Sequence, residues 1–310
     1  MTKSSVAKLP ALKNPAADLV GKPFVNRRSP RDRLREYARH PLSFVMMILV
    51  MLSALATVGV VCWIVVYVIM QGAPNLTPEL FELEYTVENK SLVPALFNTL
   101  IIAGMSLLIA VPIGVFAAIF MVEYTSSKNK FVAVVRMAAE TLAGIPSIVY
   151  GIFGLLLFVE ILFKGYSMLA GILTMSIMIL PLVMRTTEEA LKSVPASFRE
   201  GSFALGAGKL RTVFRIVLPS ALPGILSGVI LALGRVVGET AALIYTAGTV
   251  TRVPDSLLGS GETLAVHMYV LASEGLYVEQ SWATAIVLIL LVLVINGVAE
   301  FIANRFKKEY

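Results

Sequence analysis

EGSFALGAGKLRTVFRIVLPSALPGILSGVILALGRVVGETAALIYTAG, residues 200–248 of 310, divides at Pro219 into two different kinds of chain. The first part sets Glu200, Lys209, Arg211 and Arg215 among small and apolar side chains. In the second, from residue 220 to 251, only Arg235 and Glu239 are charged. That second part is long enough to cross about 30 Å of hydrocarbon, which takes roughly 20 helical residues. A central Arg in a spanning helix costs about 2.5–3.5 kcal/mol even on lenient insertion scales, so the pair marks a functional site by default. Spaced four apart, the two side chains share one helix face and are expected to pair.

The rest of the chain has the composition of a membrane protein. Hydrophobic residues make up 57% and charged ones 15%, where a soluble domain carries about 25% charged residues. Six apolar segments follow one another at about 41–70, 93–122, 132–162, 166–184, 220–248 and 281–303. Lipid leaves no partner for a bare backbone, so each is expected to be a helix, with Pro112, Pro146 and Pro181 as tolerated kinks. The single Cys62 excludes an intrachain disulfide, and His40 and His267 lack neighbours at metal-ligand spacing.

Charge orients the spans. If the amino terminus is cytoplasmic, 22 of the 26 Lys and Arg residues fall on that side, while Glu79, Glu82, Glu84, Glu88, Asp255, Glu262, Glu274 and Glu279 fall outside. The positive-inside rule then gives an all-α membrane protein of six spans with both ends cytoplasmic. Its organisation is expected to be a flexible basic tail over 1–42, a transmembrane domain over 43–305 and a short tail over 306–310. A cytoplasmic loop spans 185–219 and an outer segment 246–281. No short apolar region with a cleavage site precedes the first span. Topology and attraction to anionic lipid account for the basic stretch at 26–40, so nucleic acid is not expected as a partner.

Small residues at 201, 202, 204, 206, 207 and 208 allow another protein's backbone to come close. Glu200, Lys209 and Arg211 supply a charged rim, and Phe203, Leu205 and Leu210 supply apolar anchors. A short amphipathic helix of this kind, leading straight into a charged intramembrane site, can transmit a partner's movement into the membrane, as expected of a transporter subunit. GAGK at 206–209 is not a phosphate-binding loop, because Leu210 follows where Ser or Thr is required and the upstream glycine is missing.

The spacing Glu200, Gly206, Ile216, Leu218, Pro219 resembles the cytoplasmic EAA loop of the ABC-importer permeases, with Gly201 and Ser202 where that family has two alanines. The resemblance implies that Glu200, Gly201, Ser202, Phe203, Gly206, Lys209, Ile216, Leu218 and Pro219 couple the chain to an ATPase. ALFNTLIIAGMSLLIAVPIGVFAAIFMVEY (95–124), LAGIPSIVYGIFGLLLFV (142–159), LPLVMRTTEEALKSVP (180–195) and the run 222–248 are similar to the phosphate-importer permeases of the PstA type. Ala242 departs from that type, which has Pro there.

The resemblance implies the type I, MetI-like permease fold and no enzymatic activity of its own. It further implies a PstC-like second permease, a PstB-like ATPase dimer that binds ATP and Mg, and an external PstS-like phosphate-binding protein. This chain itself would bind no cofactor and would sit in a bacterial or archaeal plasma membrane. The alternatives are a PstC-type subunit, a permease for another oxyanion, and a membrane scaffold or sensor that docks an ATPase.

At about 100° per residue, Gly224, Gly228, Arg235, Glu239 and Ala242 fall along one face, which is expected to border the central pathway. Gly224/Gly228 and Gly234/Gly238 are both small-xxx-small pairs suited to close helix approach. The forked guanidinium of Arg235 suits a tetrahedral oxyanion. Glu239 is expected to hold and partly neutralise it, or to accept a proton-bearing phosphate oxygen; Gly234, Gly238 and Thr240 complete the expected pathway set. The competing reading is a buried structural ion pair that never meets substrate. Arg136 and Glu140, also four apart, are expected to pair locally. The outer segment 246–281 is expected to cover the outer mouth.

Overall fold

A computed structural model describes residues 41–126 and 129–307. The expected basic tail lies almost wholly outside these residues, as does 308–310. Every secondary-structure element among the described residues is helical. The chain divides into two units, 1–63 and 64–310, at a point inside helix α1 (Pro41–Gly72). In the first unit, residues 42–63 form uninterrupted helix with no buried side chain among those described. Uncharged and apolar around its whole circumference, this stretch is suited to lipid.

The second unit contains α2 (Val93–Ile119), α3 (Lys130–Ala143), α4 (Ser147–Gly154), α5 (Met168–Ser193), α6 (Ala196–Ala204), α7 (Lys209–Thr212), α8 (Leu218–Val237), α9 (Ala241–Ile244), α10 (Leu264–Glu274) and α11 (Val278–Lys307). Residues Phe120–Tyr124, Leu155–Leu162 and Val213–Val217 are π-helical continuations of α2, α4 and α7. Among the described residues, five helices are long and apolar enough to cross a membrane. The third expected span, 132–162, is instead a broken pair, α3 and α4, bent by 101°. Gly144 ends α3, and Pro146 both lacks an N–H and pushes Ile145 out of the α region. The amides of Gly144 and Ile145 turn back to the carbonyls of Thr141 and Leu142 at 3.2 and 3.1 Å. The Tyr150 hydroxyl donates across the bend to the Leu142 carbonyl at 2.8 Å. Pro112 and Pro181 remain within α2 and α5.

Two other boundaries differ from expectation. The first nine residues of the expected loop 185–219 continue α5, because good helix formers and the Arg185–Glu189 and Lys192–Glu188 pairs at 3.1 and 2.5 Å extend it past its apolar part. Hydropathy marks the membrane, not the helix end. The expected span 220–248 is displaced: continuous helix runs over Lys209–Val237 and stops at Gly238.

Helices α2, α5 and α8 build the main core around Ile102, Ile172, Met175, Ile179, Ala232 and Val236. At Gly224 and Gly228, α8 approaches α5 so closely that a Cβ would stand 2.7 Å from the Ala190 Cβ and 2.1 Å from the Thr186 Oγ1. The close approach expected of the Gly224/Gly228 pair is thus made against α5, which fills the space at these two glycines where periodicity suggested a pathway.

The outer segment folds over the ends of α2 and α5. Its carbonyls at Gly259 and Leu257 accept from the amides of Met168 and Leu169 at 2.9 and 2.8 Å. Asn98 Nδ2 donates to the carbonyls of Arg252 and Glu262 at 2.9 and 3.1 Å. Thr99 Oγ1 accepts from the Leu264 amide at 2.8 Å. Beneath this cover His267 Nδ1 and Glu262 Oε1 lie 2.6 Å apart, both fully buried. Burial pushes the Glu262 carboxyl above its ordinary range, opposed by the hydrogen bond with His267. A carboxyl raised on folding favours the protonated form, so its stabilisation is full below the ordinary glutamate range and lost as pH rises through the raised value. The purified protein should accordingly melt at a lower temperature at about pH 8 than at about pH 5, and Glu262→Gln, neutral throughout, should flatten that decline. Parallel melting curves for the two proteins would overturn this assignment.

Candidate functional site

The break that ends α8 sets the position of both intramembrane charges. Gly238 closes the helix with its amide on the Gly234 carbonyl at 3.3 Å, and the Glu239 amide bonds to the Val236 carbonyl at 3.2 Å. The chain then restarts as α9, and Glu239 Oε1 accepts from the Ala242 amide at 3.1 Å. Arg235 and Glu239 form no ion pair, contrary to expectation, because spacing by four brings side chains together only on a continuous helix. Backbone meets Glu239 instead, and Arg235 is left without a direct partner among the described residues. Arg235 occupies the last turn of α8, beside the carbonyl end of the helix dipole, while Glu239 takes an amide at the start of α9.

Arg235 is half-buried and has no ion-pair or hydrogen-bond partner among the described residues. Helix α9 packs on α4 so closely that a Cβ on Gly151 would lie 2.9 Å from the Ala242 Cα. Irregular backbone at membrane depth persists only where protein buries it or water lines it, which fits both breaks. Gly234 has open space where a Cβ would be, and Gly238 meets only its own helix at 3.6 Å. Within this chain, then, they mediate no close helix approach, a correction to their reading as a packing pair. Thr240 is half-buried at the head of α9.

The coupling segment is a second constellation. Gly206, at φ +82°, turns the chain through the left-handed conformation between α6 and α7. Its amide and that of Ala207 close the end of α6 on the carbonyls of Phe203 and Ser202 at 2.9 and 3.1 Å. Glu200, Gly201, Phe203 and Lys209 are exposed, together with Phe198, Leu210 and Leu205, the last at 90% exposure. Ser202 is not on that surface. Its hydroxyl is buried 2.8 Å from that of Thr212, so it ties α6 to α7 from inside. Ile216, Leu218 and Pro219 are half-buried where the long helix enters the core.

Two ion pairs escaped the sequence. Arg136 approaches Glu188 of α5 at 2.7 Å and not Glu140. Arg199 binds Glu123, 76 residues away, through Nη2 at 2.6 Å. Neither separation follows a local rule, so nothing in the linear pattern could have paired them. A cavity of about 150 Å³ between α3 and α5 is lined by Arg136, Arg185 and Lys192 and equally by Glu140, Glu188 and Glu189, leaving no net charge to recruit an ion.

Residues 110–308 match the family described as binding-protein-dependent transport system inner membrane component. The chain is 37% identical to the probable ABC transporter permease protein YqgI of Bacillus subtilis, over 69% of this chain and 78% of that protein. It is 36% identical to the phosphate transport system permease protein PstA 1 of Mycobacterium tuberculosis, over 69% of this chain and 71% of that one. Among solved structures, it superposes on the inward-facing MetNI methionine ABC transporter with a TM-score of 0.55 at 21% identity, covering 69% of this chain and 95% of the other. A bacterial ABC transporter for the acidic polysaccharide alginate gives 0.62 at 16% identity, covering 88% and 98%. These likenesses establish the MetI-like fold. An importer permease of this kind is a multi-pass inner-membrane subunit that leaves ATP hydrolysis to a separate ATPase and receives its cargo from a binding protein. The chain belongs to the binding-protein-dependent transport system inner membrane component family, as a non-catalytic permease subunit of an ABC importer.

Proposed function

We propose that the chain is the PstA-like permease of an inorganic phosphate importer and forms half of its translocation pathway. In this reading a PstC-like permease supplies the other half, a PstB-like ATPase dimer binds ATP and Mg, and a PstS-like protein delivers phosphate from outside. The substrate is supported by identity of 36% to the mycobacterial PstA 1 and 35% to the phosphate transport system permease PstA of Pasteurella multocida. The observation that carries the site is Arg235: a guanidinium without an ion-pair partner in the described chain, held at the end of a broken membrane helix.

A guanidinium in such a place donates two parallel hydrogen bonds to a tetrahedral oxyanion and stays charged at any physiological pH. Glu239 spends one carboxylate oxygen on the Ala242 amide, and the other has no partner among the described residues. That second oxygen can accept from a protonated phosphate, a donor that sulfate lacks near neutral pH. Gly234 and Gly238 keep side-chain bulk out of the same turn, and Thr240 brings a hydroxyl to it. ATP-driven closure of the ATPases acts on the exposed face of α6 around Phe203 and Leu205, and the long helix from Lys209 carries the motion to Arg235.

Reconstitution of the four-component complex in vesicles tests the reading. Phosphate-loaded binding protein should stimulate ATP hydrolysis several-fold and drive phosphate inward, while sulfate should do neither. An assembled, hydrolysing complex that moves no phosphate refutes it. Equal transport of sulfate would make the chain a general oxyanion permease, and hydrolysis without any transport a docking scaffold.

A further inference from the structure

We propose that Arg199 and Glu123 form a positioning pair that locks the coupling helix to the end of α2, so that a push on α6 reaches two membrane helices and not only the one that follows it in sequence. The inference rests on the permease reading above and adds a mechanical role for residues outside both candidate sites.

The guanidinium of Arg199 joins three elements. Nε and Nη2 donate to Glu123 Oε1 at 3.0 and 2.6 Å. Nη1 donates to the Val194 carbonyl at 2.8 Å, and Nη2 also to that of Leu191 at 2.9 Å. Those carbonyls belong to the last turn of α5 and to the residue that caps it, where acceptors have no partner in the helix itself. The same side chain therefore closes α5, sits on α6 and grips α2. It does so largely out of water, with the Glu123 side chain 8% and that of Arg199 20% exposed. Charge-assisted, forked bonds in such a setting fix orientation as well as distance.

The grip on α2 falls on the π-helical turn Phe120–Tyr124. The next residue in that turn is held from the other side of the coupling segment, where Lys209 Nζ stands over the Tyr124 ring at 5.1 Å. Between the two contacts, Ser202 and Thr212 join α6 to α7. The segment that presents Phe203 and Leu205 outward is thus bound inward at Arg199 and Ser202, with the exposed Lys209 laid over the Tyr124 ring at its edge. Only Pro195 and its neighbour Val194 separate α5 from α6, which leaves no slack on that side. A displacement of α6 must then move the end of α2 with it.

Stability alone would also justify such a pair, so the test reads coupling. In the reconstituted complex Glu123→Gln keeps shape and assembly but loses the charge that orders the fork. It should leave ATP hydrolysis within about twofold of the parent while lowering phosphate moved per ATP about fivefold, and Glu123→Asp should recover most of that ratio. A second arm does not depend on the substrate. Spin labels at Thr125→Cys and Ser197→Cys, in a Cys62→Ser background, should keep one separation with and without ATP in the parent. With Glu123→Gln added, that separation should broaden or shift on ATP. A distance that already changes with ATP in the parent overturns the rigid link, as does an unchanged transport ratio in Glu123→Gln. Absence of any phosphate movement in the parent sinks the substrate reading and leaves the distance arm to decide this one.

Discussion

Arg235→Ala should lower phosphate uptake by about a hundredfold or more while the complex still assembles and its ATPase still turns over. Hydrogen bonds to charged groups contribute about 1.5–3 kcal/mol each, and a forked guanidinium makes two. At about 1.4 kcal/mol per tenfold, losing both exceeds two orders of magnitude. The fold has little reason to suffer, since no side chain in the described chain depends on Arg235 for an ion pair. Arg235→Lys keeps the charge at the carbonyl end of α8 but loses the fork, and should retain an intermediate rate. Uptake by vesicles and co-purification of the partner subunits measure both quantities. Uptake within twofold of the parent would remove Arg235 from the pathway. Loss of assembly in parallel with uptake would return it to the structural role that sequence alone left open.

The order and nature of the elements were legible because hydropathy reports burial in lipid over whole segments. Four of the six apolar runs became single helices close to their expected places. What escaped depends on single residues or on distant ones. The bend at Gly144–Pro146 turns an equally apolar run by 101°, and hydropathy cannot see direction. Gly238 ends α8 between two charges whose spacing of four suggested a pair, so a correct local rule was applied across a break. Ser202 passed as a small docking residue because its bond to Thr212 requires the turn between them to close. Arg199 and Glu123 are 76 residues apart and meet only once α2, α5 and α6 are assembled. At Arg235 itself the residue type and the membrane setting were readable, and the break that parts it from Glu239 was not.

Gly228→Ala should be among the most damaging single-methyl changes in the chain. The added Cβ would stand 2.1 Å from Thr186 Oγ1 and 2.6 Å from Thr186 Cβ, well inside contact distance. Thr186 cannot simply rotate away without cost, because its hydroxyl bonds to the carbonyls of Leu182 and Val183 at 3.0 and 3.2 Å. Overpacking of this kind costs about 1–3 kcal/mol where the backbone can yield. Gly228→Leu should exceed that and leave little assembled protein. The same contact supplies the control. Thr186→Gly removes both opposing atoms, at a helix-propensity cost of about 1 kcal/mol. By itself it should destabilise α5, yet combined with Gly228→Ala it should melt above Gly228→Ala alone. That sign of coupling arises only between residues in contact. Thermal melting of the purified protein measures it, and two separately additive losses would show that α8 and α5 do not meet at this point.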